Sequence, residues 1–513
     1  MQSDQTTHPP TVDRRVAVGV GVFSLSILLL WWTAFYPGIS TVDSQQAWDQ
    51  ANSWVFQDWH PVFHTWIIAL LTRVWHSPGA VVLSQIVGMS LVLGSLTRRL
   101  QRIGVRTVVA AVVPCLIVLS PQTGLTTMLM WKDVPFAISV LWMFCEVLDL
   151  ATDPTRYLSS KGRCVRLGLA WAAVLLFRQN GTLVAGIVIV GVVLVFRSQW
   201  RRLLIAIGLA LGSYAIVTGP VYSYLNVSPT PALFTYTTFV HDMAAFVNDH
   251  GDDMSTDEKA FLTNILPFDR WKAPSATNPT GLYYCRQATP LIFAKEFYPL
   301  TRIDDSGNLV PISTMPKVLT QNSQSVYLEQ HSGEFMSLWK RFAVRWPGTL
   351  LGQRFCVGSL AWSPLHKTGL EVLQPLGKST AGRTDLEVRP ISTSLNRFFT
   401  NDIVRPWSSD DVRVLTWRAV IWVYLGLAAV LFATFRRRFS WRFGVVALPL
   451  FAPWFSVFTF TPGQSTRYMF PSYLVALACL GLPFMAKPIA PQPQITDDEK
   501  TSVDDAPSVG PSS

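Results

Sequence analysis

Charge is scarce in this chain, and basic charge avoids one stretch entirely. Only 14% of the 513 residues are Asp, Glu, Lys or Arg, half are hydrophobic, and mean hydropathy is +0.30. An ordinary soluble enzyme carries about a quarter charged residues, so that class is excluded. The excess of 42 Lys and Arg over 32 Asp and Glu gives a net charge of +10. These basic residues sit in short clusters between apolar runs, as in cytoplasmic membrane loops, not pooled in a polar domain as nucleic acid requires. No nucleic-acid partner is expected. Cysteine is sparse as well, with six residues and no zinc-like spacing. No repeat relates one half of the chain to the other. Between Tyr36 and His64 there is no Lys or Arg, yet the stretch holds Asp43, Asp49 and Asp58 and closes on Asp58-Trp59-His60-Pro61.

The apolar runs predict a polytopic α-helical membrane protein. Arg14-Arg15 precede Val16 to Phe35, about 20 residues, enough to cross a bilayer of about 30 Å. No small-residue cleavage site follows, so the run reads as a first span and not a removed signal. Val62 to Trp75 is amphipathic and reads as interfacial. Spans are predicted near 80–96 and 107–120, and after Trp131-Lys132-Asp133. The 30 residues from Leu167 to Phe196 are interrupted by Arg178-Gln179-Asn180-Gly181. Reading them as a pair of short spans keeps the flanking arginines on one side, as the positive-inside bias demands. Arg178 then tops a hairpin at membrane depth, where broken backbone is tolerated only under protein cover or beside a polar cavity.

A seventh span from Leu203 leads outward, and three more lie near 414–435, 443–460 and 469–485. The expected layout is about ten transmembrane helices with both termini cytoplasmic. A disordered tail at 1–13 precedes an N-terminal membrane module at 14–225, whose outer loop is 36–64. An extracytoplasmic domain at 226–412 lies between helices 7 and 8, C-terminal helices fill 413–487, and a disordered tail spans 488–513. Cys285 and Cys356 are the two cysteines of the outer domain, where a disulfide can persist. The alternative is two unrelated buried thiols.

Few basic residues fall on the outer loops, which makes each informative. They are Lys132, Arg178 and Arg467, facing Asp43, Asp49, Asp58, Asp133 and His60. Charge at membrane depth usually marks a site or a pathway. The ordered set of Asp43, Asp58-Trp59-His60-Pro61, Trp131-Lys132-Asp133, Arg178-Gln179-Asn180-Gly181 and Arg467-Tyr468-Met469-Phe470-Pro471 resembles bacterial membrane glycosyltransferases of the GT-C superfamily. The resemblance covers roughly residues 15–225 and 414–486. It implies transfer of a sugar from a polyprenyl-phosphate carrier, on the outer face of the membrane, to a polysaccharide, glycolipid or protein acceptor. It implies that Asp43 is the catalytic carboxylate. Many members carry an adjacent acidic pair at that place, whereas Val42-Asp43-Ser44 offers one carboxylate. A divalent cation is therefore an open cofactor, and no metal ligand is assigned.

The chemistry suits these residue types. A phosphate-linked carrier leaves without an acid, unlike the leaving group of a glycosidase. One base takes the proton of the attacking hydroxyl, and Lys132, Arg178 and Arg467 would hold the phosphate. Asp133, Asn180 and Tyr468 would support them. Plainer readings stand beside these. Asp43 caps a helix, Asp49 is a solvated helix-face carboxylate, and Asp58 with His60 locks a turn or supplies a second acid. Lys132 pairs with Asp133 or snorkels. Asn180-Gly181 makes the hairpin turn, and Arg467-Tyr468 anchors at the interface. Two rival classes remain: a transporter or flippase of lipid-linked saccharides, and a non-catalytic envelope assembly factor.

Overall fold

The computed structural model describes residues 12–292, 294, 302–303, 309–310, 323–365, 383–408, 412–436 and 441–485. Residues 1–11 of the first expected tail, all of the second, and Arg437, Arg438 and Lys487 lie outside the described residues. Helices dominate. The strands among the described residues are the antiparallel pair Arg302–Ile303 and Leu309–Val310.

The first helix, α1 (Arg14–Ala34), begins behind Asp13, whose carboxylate accepts from the amides of Arg15 and Val16. That satisfies two of the donors every helix start leaves open. After α2 (Val42–Ser53) and α3 (Val62–Val74) comes α4 (Pro78–Arg102). It runs antiparallel to α1, with Gly79 near Trp32 at one end and Gly94 against Ala17 at the other. A Cβ on Gly94 would stand 2.9 Å from the Ala17 carbonyl oxygen. Small residues therefore let these two helices approach closely, as in membrane bundles.

Next, α5 (Thr107–Leu119) and α6 (Pro121–Thr127) meet at a 60° bend. Pro121 lacks an amide hydrogen and starts a new helix in place of continuing the old one. The residues after it were expected in an outer loop. Instead Gln122, Thr123, Thr126 and Thr127 are buried. The chain continues through α7 (Asp133–Thr152), α8 (Pro154–Leu158), α9 (Lys161–Phe177), α10 (Gly181–Val195) and α11 (Trp200–Ile216). Between α9 and α10 the hairpin at Arg178 is tight. A Cβ on Gly181 would collide with the Val174 carbonyl, so only glycine fits there.

Among the described residues, five helices are long and apolar enough to cross a membrane: Arg14–Ala34, Pro78–Arg102, Asp133–Thr152, Arg197–Tyr224 and Trp441–Phe460. Counting bent α5 and α6 together makes six. The chain is thus a mostly helical, multi-pass membrane protein, with fewer full-length spans among the described residues than the ten expected. The shortfall lies in short helices. The 17 residues of α9, 15 of α10 and 10 of Phe470–Cys479 reach only about 15–26 Å at 1.5 Å per residue, less than the roughly 30 Å core.

The expected outer segment divides in two. Residues from Leu233 to Phe342 build their own core around Phe246, Trp271, Phe335 and Phe342. Leu360, Ala361, Leu386 and Val404 join the main helical core instead. The Asn396 amide donates to the Ala34 carbonyl at 2.8 Å, tying this later part to the end of α1. Cys285 and Cys356 form a disulfide.

Candidate functional site

The segment after α1 is stitched to the turn before α7. The Ile39 amide donates to the Met128 carbonyl at 2.8 Å, and the Met130 amide returns to Ile39 at 3.2 Å. Thr41 then caps α2, its hydroxyl accepting from the Ser44 amide at 3.4 Å and from the Trp131 indole at 2.6 Å. The cap reading of Asp43 is corrected by this geometry: Thr41 does that job. Asp43 stands in the first turn, with its oxygens aimed at other segments.

One Asp43 oxygen accepts from Arg467 at 2.6 Å, and the other faces His60 Nε2 at 3.8 Å. The second distance is too long for a hydrogen bond. Lys132 reaches His60 Nδ1 at 2.5 Å. An ammonium only donates, so Nδ1 accepts and Nε2 carries the ring proton. Behind this pair, Arg178 forms a nearly buried ion pair with Asp133. Both arginines lie close to the Tyr468 ring. Arg178 lies 4.8 Å and Arg467 5.1 Å from the ring centre, and Arg467 is also 4.8 Å from the Trp131 ring. Aromatic faces help hold guanidinium groups in place, and Arg467 also donates to the Tyr468 hydroxyl at 3.3 Å.

Seven of the residues singled out from sequence therefore meet: Asp43, His60, Lys132, Asp133, Arg178, Arg467 and Tyr468. Three cations against two carboxylates leave a net positive charge beside a recessed Asp43, whose side chain is 22% exposed. Burial alone would raise the Asp43 pKa, but Arg467, then His60 and Lys132, hold it well below the ordinary carboxylate value. Burial pushes Lys132 down to about 8, against the pull of Asp43 and Asp133. Burial and then Lys132 lower His60, with Asp43 opposing. Neutral His60, ionised Asp43 and charged Lys132 coexist near pH 7.

Other expected members go elsewhere. Asp58 turns away and accepts from Tyr222 at 3.0 Å, while Gln179 and Thr230 donate to its carbonyl. Burial raises Asp58 to about 6 despite the Tyr222 hydrogen bond. Asn180 donates to Ser456 at 2.9 Å, which braces the hairpin against the helix Leu448–Phe460. Asp49 is no merely solvated carboxylate: Arg383 pairs with it at 2.8 Å across 334 positions of sequence. Lys132 and Asp133 do not pair with each other, since each has its own partner.

Trp131 and Gln179 entered the sequence reading only as motif neighbours of Lys132 and Arg178, with no role assigned, and Tyr222 was not singled out at all. Tyr222 had no signal, because an aromatic at a span end reads as an interface anchor.

Among the described residues no three His, Cys, Asp or Glu side chains gather as a metal site. The residues suit a divalent ion poorly, because Asp43 and Asp133 are each already held by a guanidinium.

Residues 48–274 match a family of unknown function, DUF6020. No curated protein matches. Among solved structures, the chain is similar to ArnT from Cupriavidus metallidurans bound to undecaprenyl phosphate, at 16% identity and a TM-score of 0.35. It is also similar to the apo form of that protein, at 16% identity and a TM-score of 0.33. In both cases 91% of this chain and 78% of the other are covered. At these scores the likeness assigns no function to this chain.

Proposed function

We propose that the protein is an integral membrane glycosyltransferase. It moves a sugar from a polyprenyl-phosphate carrier to a cell-envelope acceptor on the outer face of the cell membrane. About ten helices, short ones included, cross or enter the bilayer with both termini cytoplasmic. The observation that carries this reading is the meeting of one carboxylate, Asp43, with Lys132, Arg178 and Arg467, brought from four distant parts of the chain.

In the reaction, the donor phosphate sits among these cations, with Arg467 and Arg178 as forks and Lys132 as a point charge. An acceptor hydroxyl attacks the anomeric carbon from the opposite side. Its oxygen–carbon bond forms as the carbon–oxygen bond to phosphate breaks, and polyprenyl phosphate departs with the bonding pair. The hydroxyl proton passes to Asp43, and the sugar carbon inverts. Resting Asp43 is a weak base because Arg467 holds it. Phosphate competes for Arg467, and as that pair loosens Asp43 gains basicity where it is needed. Fixed cations in a water-poor site stabilise the departing phosphate more strongly than they would in water.

The test compares cells carrying wild type, Asp43→Asn or no protein, at matched membrane levels. Polyprenyl-phosphate sugars and envelope glycans are measured in each. The expected result is that Asp43→Asn matches the deletion, with one lipid-linked sugar accumulating and one decoration lost. In purified protein the loss of transfer is about 10²–10⁴-fold. If Asp43→Asn behaves as wild type while the deletion does not, Asp43 is not the base, and the transporter and assembly-factor readings take precedence.

A further inference from the structure

A second charged site lies at the other end of α4, about 37 Å from its start at 1.5 Å per residue. A cavity of about 160 Å³ opens there, lined by Ser95, Arg98, Arg99, Arg102, Glu146 and Arg166, with Trp142 at its edge. One water needs only about 10–15 Å³ of such space, so a tetrahedral oxyanion with attendant waters fits.

The floor of the cavity is saturated. Glu146 is fully buried and accepts from Arg99 at 2.5 Å, Tyr157 at 2.6 Å and Trp142 at 3.2 Å, with Arg166 at 3.4 Å. Asp149 takes Arg99 at 3.1 Å and Arg102 at 3.5 Å. This clamp joins α4 to α7 and fully explains why Arg99 is buried. It does not explain the rim. Four guanidinium groups face two carboxylates, and Arg98 makes no ion pair among the described residues. Arg102 and Arg166 keep 36% and 48% of their side chains exposed while each gives a single nitrogen to its carboxylate.

We propose that this cavity binds a phosphate group at the inner membrane surface, held by Arg98, Arg102 and Arg166 above the Arg99–Glu146 floor. Guanidinium forks match phosphate oxygens two at a time. A basic pocket between helices on the cytoplasmic side is where an anionic lipid head group settles. A phosphate-bearing solute presents the same oxygens.

The test uses full-length protein purified in detergent. Native mass spectrometry counts retained phosphatidylglycerol against phosphatidylcholine, and calorimetry follows titration with inorganic phosphate. The double variant Arg98→Gln, Arg166→Gln is compared with Arg201→Gln, Arg202→Gln, which removes equal charge from exposed positions at the start of α11. Both variants keep Arg99 on Glu146 and Asp149; the cavity variant also removes the Arg166 contact to Glu146, and equal melting temperatures check that the fold survives it. Wild type should prefer phosphatidylglycerol, and the cavity variant should lose roughly thirtyfold in affinity while the control keeps it. A response to phosphate alone, lost in the cavity variant, makes the ligand a soluble phosphate compound. No preference in either arm, or an equal loss in both variants, overturns the proposal.

Discussion

The two charge networks at opposite ends of α7 use the same residue types to different ends. Asp133 opens the helix, and Glu146 lies thirteen positions on, about 20 Å away. At the Glu146 end the buried carboxylate has its acceptors filled by Arg99, Tyr157, Trp142 and Arg166. At the Asp133 end, buried polar atoms are left over: Nε of Arg467 and Nε2 of His60 have no hydrogen-bond partner. Each such atom costs about 1–3 kcal/mol if nothing satisfies it. A saturated network is a clamp. One with unspent donors beside a recessed carboxylate is complementary to something that arrives later.

The comparison breaks most sharply on stability. Glu146→Ala leaves nearly buried Arg99 with Asp149 alone and strands the Tyr157 and Trp142 donors, which together should destabilise the protein by about 3–5 kcal/mol. Asp43→Asn keeps size, shape and a carbonyl acceptor for Arg467 at a site with 22% exposure, so its thermal midpoint in detergent should fall much less than that of Glu146→Ala while transfer is lost. Equal midpoint losses for the two variants would mean that the Asp43 network is also a clamp.

A smaller effect sharpens the electrostatic side. In the proposed reaction Lys132 must be charged to hold the donor phosphate, and burial has lowered it to about 8. Protonated Lys132 dominates below that value, so kcat/KM for the lipid-linked donor should fall as pH rises through about 8. Lys132→Arg, which stays charged across this range, should remove the alkaline limb between pH 7 and 10 even if its maximum is lower. A limb that persists in Lys132→Arg belongs to another group.

Much of this was legible because membranes punish charge. Long apolar runs marked α1, α4 and α7, and the hairpin at Arg178 followed from the arginines flanking it. The cluster around Asp43 was legible in part by elimination, since so few cations fall on the loops expected to face outward. What stayed hidden depended on pairings across long stretches of sequence. Arg383 with Asp49 is one, and Asn396 with the end of α1 is another. The bend between α5 and α6 was hidden because Pro121 reads equally as a loop start. The inner cavity was missed for a different reason. Its arginines were taken only as a topology signal, although Glu146 and Asp149 inside an apolar run were a warning of buried partners.

Asp58 carries the smallest expected effect and separates the two carboxylates of the first loop. Its pKa is raised from the usual range near 4 to about 6 by burial. The folded state therefore holds this proton more tightly than the unfolded chain. That contribution to stability is complete below about pH 4 and is lost as pH rises through about 6. Asp58→Asn keeps a hydrogen-bond acceptor for Tyr222 and removes the charge. At pH 8 it should leave the melting temperature unchanged or slightly higher, and at pH 4 that gain should vanish. Transfer should stay within about twofold of wild type, because Asp58 faces Tyr222 and not the cations around Asp43. A hundredfold loss would move Asp58 into the proton-transfer chemistry, and Asp43 would no longer be the loop's one reactive carboxylate.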